Sequence, residues 1–216
     1  MSDSFMVAAR IPMTREAFEA WLDTPTPDPA AVIANPTAVF DGWYWDGRAV
    51  EDEWESVETT TPREYFADRV GWACDGEPET TVLLHRDGAL EAYLFHLGYD
   101  EAGVHTALAL LAAAGPHKSA DAEDVVLFWA ETSGSLWRPE DKGWLAVLAV
   151  GRTGARFVAD LDLAPAVAAL KPVEQRFFEL VDRLGEAEES WDSEGEYRTG
   201  IPREESFVDP AVLRAG

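Results

Sequence analysis

The chain has 216 residues, with 41 Asp and Glu against 17 Lys and Arg, and a formal net charge of -24 at pH 7. Such a charge repels nucleic acid and anionic membrane and draws basic partners. The chain is also 47% hydrophobic and 11% aromatic, which excludes a disordered acidic tail, since those are poor in both.

Residues 5–11 predict a first strand. Thr14 caps a short helix with Phe18, Trp21 and Leu22 on one face. Thr24-Pro25-Thr26-Pro27 breaks it, and Asp28 with Pro29 starts another turn through Ala34. Residues 37–45 predict a second strand, closed by Asp46-Gly47. Residues 48–60 read as an acidic loop or edge strand. Thr61-Pro62-Arg63-Glu64 is a capping box with proline at the first helical position, so a helix runs to about residue 70.

Residues 80–86 and 89–97 are two strands joined by Asp87-Gly88, a strong hairpin signal. A two-residue turn pairs 86 with 89 and 84 with 91. One face then carries Leu83, Leu90, Ala92 and Leu94, and the other Val82, Leu84, Tyr93 and Phe95. Both faces are apolar, which places the hairpin mid-sheet, covered on both sides. Asp100 caps a helix to residue 114 with a stripe of Val104, Leu108 and Leu111, ended by Gly115-Pro116. Residues 125–131 predict a buried strand. Residues 144–150 and 155–160 make a second hairpin, with 150 opposite 155. Pro172 opens a last helix to Leu184, with Val173, Phe177, Leu180 and Leu184 on one stripe and Gly185 as its stop.

Hairpins and helices without βαβ alternation predict an α+β fold, with a mostly antiparallel sheet of about six strands. Hairpins 80–97 and 144–160 are expected at its centre, with helices packed on it. Residues 1–185 are expected as one domain. Residues 186–216 are expected as an acidic, loosely packed C-terminal extension, with little but Trp191, Tyr197, Ile201 and Phe207 to pack.

No catalytic motif is present. Cys74 has no CxxC partner, and its acidic neighbours would blunt a thiolate. His85 and His96 fall at opposite ends of their hairpin, roughly 20 Å apart, so they cannot share a metal, and His105 and His117 read as ordinary polar side chains. Ser133-Gly134-Ser135 is not a nucleophile elbow, and Gly151-Arg152-Thr153-Gly154 is hairpin punctuation, not a phosphate loop. No metal site, cofactor or catalytic residue is expected. The N-terminus has no basic leader and no apolar run is long enough to span a bilayer, so a cytoplasmic location is expected.

The charge is unevenly spread. Residues 51–80 carry ten acids against Arg63 and Arg69, while residues 81–120 carry only four, Asp87, Glu91, Asp100 and Glu101. A second acidic stretch runs from residue 161 onward. The first adjoins an aromatic cluster, Phe40-Asp41-Gly42-Trp43-Tyr44-Trp45-Asp46-Gly47-Arg48, continuing to Glu51-Asp52-Glu53-Trp54-Glu55. Tryptophans supply hot-spot burial and the acids around them recruit Arg and Lys. Trp43, Trp45, Asp46, Glu51, Asp52, Glu53, Trp54 and Glu55 are therefore the expected partner-binding residues, with Trp137 a secondary candidate. The plainer alternatives are that these tryptophans are core side chains and that the acids serve solubility or salt adaptation.

An acidic α+β domain with no catalytic motif resembles the immunity proteins of bacterial polymorphic toxin systems. The Trp43-Tyr44-Trp45-Asp46-Gly47-Arg48 stretch, after a strand–helix opening, is similar to segments in some of those families. That resemblance implies stoichiometric neutralisation of a basic protein such as a nuclease toxin. No nucleic-acid or membrane partner is expected. A small carbohydrate-acting enzyme using paired carboxylates is the first alternative. A structural or assembly subunit is the second.

Overall fold

The computed structural model describes residues 5–40, 44–45, 48–49, 54, 59–72, 81–95, 101–130, 144–159, 161–189 and 207–214. Strand β1 (Phe5–Pro12) is apolar at consecutive positions, and Met6, Val7, Ala8, Ala9 and Ile11 are all buried. A strand covered on both faces needs such a run. β1 pairs with β5 (Ala89–Phe95) on one side and β6 (Asp124–Ala130) on the other. β4 (Thr81–Arg86) lies outside β5. β7 (Trp144–Gly151) and β8 (Gly154–Phe157) lie outside β6. The result is a 6-stranded sheet in the order β4-β5-β1-β6-β7-β8, antiparallel throughout. This is the expected α+β fold.

The hairpin registers are those expected: Arg86 pairs with Ala89, Leu84 with Glu91 and Val150 with Ala155. Asp87 and Gly88 both hold positive φ, 48° and 70°, as a tight hairpin turn demands. The positions of the hairpins are not those expected. They flank the sheet, and β1 and β6 occupy its centre. Apolarity on both faces marks a covered strand, and here the flanks are covered too.

Helices α1 (Arg15–Leu22), α3 (Pro62–Trp72) and α4 (Glu101–Ala112) pack on one face. Their Phe18, Trp21, Phe66, Leu108 and Leu111 join Val7, Ala9, Ile11, Leu83, Leu90 and Leu148 in one core. Thr14 caps α1 by accepting the Ala17 N–H at 3.1 Å. The capping box of α3 forms as written, with Glu64 accepting the Thr61 N–H at 2.9 Å and Thr61 Oγ1 accepting the Glu64 N–H at 3.2 Å. A short α2 (Pro29–Val32) is capped by Asp28.

The long α5 (Ala164–Glu189) covers the other face through Leu170, Val173, Phe177 and Leu180, against Met6, Ala8, Val82 and Tyr93. It starts eight residues before Pro172 and runs past Gly185. A lone interior proline removes one helical hydrogen bond and a lone glycine costs ~1 kcal/mol. The buried stripe outweighs both. Gly115 also differs from its expected role. It has no positive φ. A Cβ there would meet the Gly151 carbonyl oxygen at 2.3 Å, so the glycine permits backbone contact between the end of α4 and the β7–β8 turn.

Residues 37–45 do not form one strand. Pro36–Phe40 is a 3-10 turn with Val39 buried, and the described Tyr44–Trp45 (β2) is extended, paired with Arg48–Ala49 (β3). The reason lies one residue earlier. Asn35 donates to the Phe157 carbonyl at 3.1 Å and accepts the Phe157 N–H at 2.8 Å, pinning the chain to the edge strand β8. The opposite edge is closed by the chain's last described segment. Leu83 donates to Phe207 O and accepts from the Asp209 N–H, both at 2.8 Å. Phe207, Val208, Ala211 and Val212 are buried there. Residues 207–214 are thus docked on the domain, whereas a loosely packed extension was expected.

Candidate functional site

Trp54 is the one expected contact residue whose side chain is described. It is half-buried. Its indole N–H donates to the Pro36 carbonyl at 2.9 Å, and its ring lies 4.6 Å from that of His105 and 6.4 Å from that of Phe157. It packs against the α1/α3/α4 core. His105, on α4, is fully buried, and that burial pushes its pKa down to about 4, so a neutral imidazole supports the indole at pH 7. Trp54 therefore ties the acidic stretch to the core. Trp45 contributes a backbone pair to Arg48. Trp43, Asp46, Glu51, Asp52, Glu53, Glu55 and Trp137 lie outside the described residues, as do Cys74 and His96.

The other described histidines do structural work. His85 Nε2 donates to Met13 O at 2.9 Å, and His117 Nε2 meets Thr24 Oγ1 at 3.3 Å. Among the described residues no group of three His, Cys, Asp or Glu could hold a metal. No helix among them is long and apolar enough to cross a membrane.

Sequence reasoning passed over the charged groups beneath and beside α5. Arg10 and Glu91 are directly opposite on β1 and β5, with Nε and Oε1 3.6 Å apart. Arg176 of α5 bonds the other oxygen of Glu91. Tyr93 donates to Glu174 Oε1 at 3.2 Å, and burial, then the neighbouring Glu174, raises the phenol's pKa. These pairs fasten α5 to an otherwise apolar face. The available signal was a charge inside each of two apolar strands. Lys118 is wholly buried and donates to Ala122 O at 2.7 Å and Val150 O at 2.5 Å, while pairing with Asp124 at 2.5 Å.

At one end of this face lies a cavity of about 280 Å³. Its polar lining is Arg10, Glu123, Asp124 and Asp162, and Val125, Leu161, Ala169 and Leu170 contribute apolar wall. Leu161 is 45% exposed. Among the described residues no tryptophan lines it, and Glu123 is paired with Arg156 at 2.8 Å, so these residues do not make a carboxylate pair beside a sugar platform. Comparison with protein-family models, with curated proteins and with solved structures returns no match.

Proposed function

We propose that this protein is an acidic binding protein of the immunity or inhibitor type, neutralising a basic protein partner by stoichiometric association in the cytoplasm. The observation that carries the reading is the net charge of -24 on a folded, aromatic-rich chain, with one of its two acidic stretches next to the Trp43–Trp54 cluster. The structure is compatible in two respects. Trp54, which lies within that stretch, is held to the core. Both edges of the 6-stranded sheet are closed, by Asn35 at β8 and by residues 207–209 at β4. Strand addition at those edges is blocked, which leaves recognition to side chains.

The test is capture by the immobilised full chain. The bound protein is identified by mass, its association rate is measured against ionic strength, and its own activity is assayed with one equivalent of this chain. A rate that falls steeply with salt and stoichiometric loss of activity are expected. A rate unchanged by salt, or a partner that stays active in the complex, would sink the reading.

A further inference from the structure

We propose that the cavity beside the start of α5 is a socket for an arginine or lysine side chain of the basic partner. This rests on the acidic-binder reading and gives it a contact point that the sequence did not indicate. Size comes first. Small-molecule sites run from ~300 to 1,000 Å³, and a volume of about 280 Å³ suits one side chain better than a cofactor. The walls come second. Val125, Leu161, Ala169 and Leu170 form an apolar sleeve, and Leu161 is 45% exposed. A long cationic side chain buries its methylene stem on such a surface and keeps its head at the polar rim.

The charge of that rim comes third. Glu123, Asp124 and Asp162 supply three carboxylates to one guanidinium, that of Arg10. Arg10 shares Glu91 with Arg176, and Asp124 is held by the buried Lys118. Glu123 holds Arg156 at 2.8 Å in a pair whose side chains are 47% and 52% exposed. Such a pair exchanges partners at little cost. Asp162 is exposed, and its Oδ1 accepts the Ala164 N–H at 3.1 Å. Glu123 and Asp162 are therefore the two acids placed to meet an incoming cation. An anion would meet Asp162, the lining acid with no ion pair among the described residues, on a chain of net charge -24.

The test titrates the full chain, methyl-labelled for NMR, with n-butylammonium, n-butanol and butyrate. The expected result is saturable shifts of the Val125, Leu161 and Leu170 methyls, with butylammonium tighter than butanol by about two- to fivefold, the advantage an exposed ion pair provides. Glu123→Gln combined with Asp162→Asn should reduce butylammonium to the level of butanol. Asp162 also bonds the start of α5, so circular dichroism checks that helix, and Glu123→Gln alone should give part of the loss. Ala169→Trp, at an exposed helical position, should fill the cavity and abolish saturation. Equal binding of butanol and butylammonium, preference for butyrate, the absence of saturable shifts, or unchanged binding in Ala169→Trp would each overturn the proposal. Butylammonium reads the cavity alone and the salt dependence of partner association reads the proposed function, so either can fail without the other.

Discussion

Asp209→Ala should loosen the far end of the chain by an amount the structure lets one work out. Asp209 is 3% exposed. Its carboxylate accepts Arg15 Nη1 at 2.5 Å and Nη2 at 2.7 Å, the Ala211 N–H at 2.9 Å and the His85 N–H at 3.2 Å. The substitution strands the buried Ala211 donor and the part-buried His85 donor, and an orphaned buried donor costs ~1–3 kcal/mol, a part-buried one less. Arg15 has a side chain 41% exposed and turns to water, so it adds little. The sum is about 3 kcal/mol, or a fall in Tm of about 6–12 °C for a chain this long. Thermal and urea unfolding read it, and hydrogen exchange at the Leu83 amide, bonded to Phe207 O, should accelerate. The pH dependence supplies a second check. Burial alone would raise the Asp209 pKa, but the Arg15 fork and the Ala211 and His85 N–H groups outweigh it and hold it below the ordinary value. A depressed carboxylate stabilises the fold above its unfolded pKa, ~3.9, and that contribution is lost as pH falls through the folded value. The gap between parent and variant should therefore shrink in acid below about pH 4. A variant within about 0.5 kcal/mol of the parent at pH 7, or a gap that persists undiminished in acid, refutes Asp209 as the anchor of residues 207–214.

His105 is held neutral by burial at a pKa of about 4. The unfolded chain takes up its proton first, so stability should fall as pH drops from about 6.5 toward 4, and His105→Phe should flatten that limb of the urea-midpoint profile. Lys118→Met leaves Asp124 and two carbonyls without their cation. It should cost about 3–5 kcal/mol in chemical denaturation, and a change near zero would mean that the ammonium contributes nothing net. Gly115→Ala drives a Cβ to 2.3 Å from the Gly151 oxygen and should cost about 1–3 kcal/mol, whereas Gly88→Ala, with open space around it, should show only the cost of its positive φ.

Local rules served well where a few consecutive residues decide the outcome. The capping box at Thr61, the Asp87-Gly88 turn and the registers of both hairpins follow from neighbouring side chains and turn chemistry, and the structure shows each. Legibility ends where distant segments decide. Strand order depends on which apolar surfaces meet, so β1 at the centre could not be read from the two hairpins. The chain end looked too polar to pack because its anchor is one aspartate whose partners, Arg15 and His85, stand 194 and 124 residues away. Pro172 misplaced the start of α5 because a local rule was applied where a long buried stripe overrides it. The candidate cavity was invisible for the same reason, since β1, β6 and α5 meet there from three parts of the chain.

The charge that makes the protein acidic is also arranged by the fold. Of the described cations, the Lys118 side chain is 0% exposed, that of Arg176 12% and that of Arg63 17%. Each is held in an ion pair with Asp124, Glu91 or Asp23. Those pairs are neutral, so the net charge of -24 is undiminished and falls on the remaining residues. Fewer cations are left there to separate the acids. Two salt effects of opposite sign follow. Self-repulsion destabilises a compact chain, and raising ionic strength from 0.01 to 0.15 M shortens the screening length from about 30 to 8 Å. Stability should therefore rise over that range, measured by urea midpoint at pH 7. Association with a basic partner should slow over the same range, because the same field that strains the fold steers the encounter. A midpoint that falls with salt would show that exposed pairs such as Arg156–Glu123 outweigh the repulsion. The surface would then be balanced where it is displayed, and the electrostatic basis for a cationic partner would fail with it.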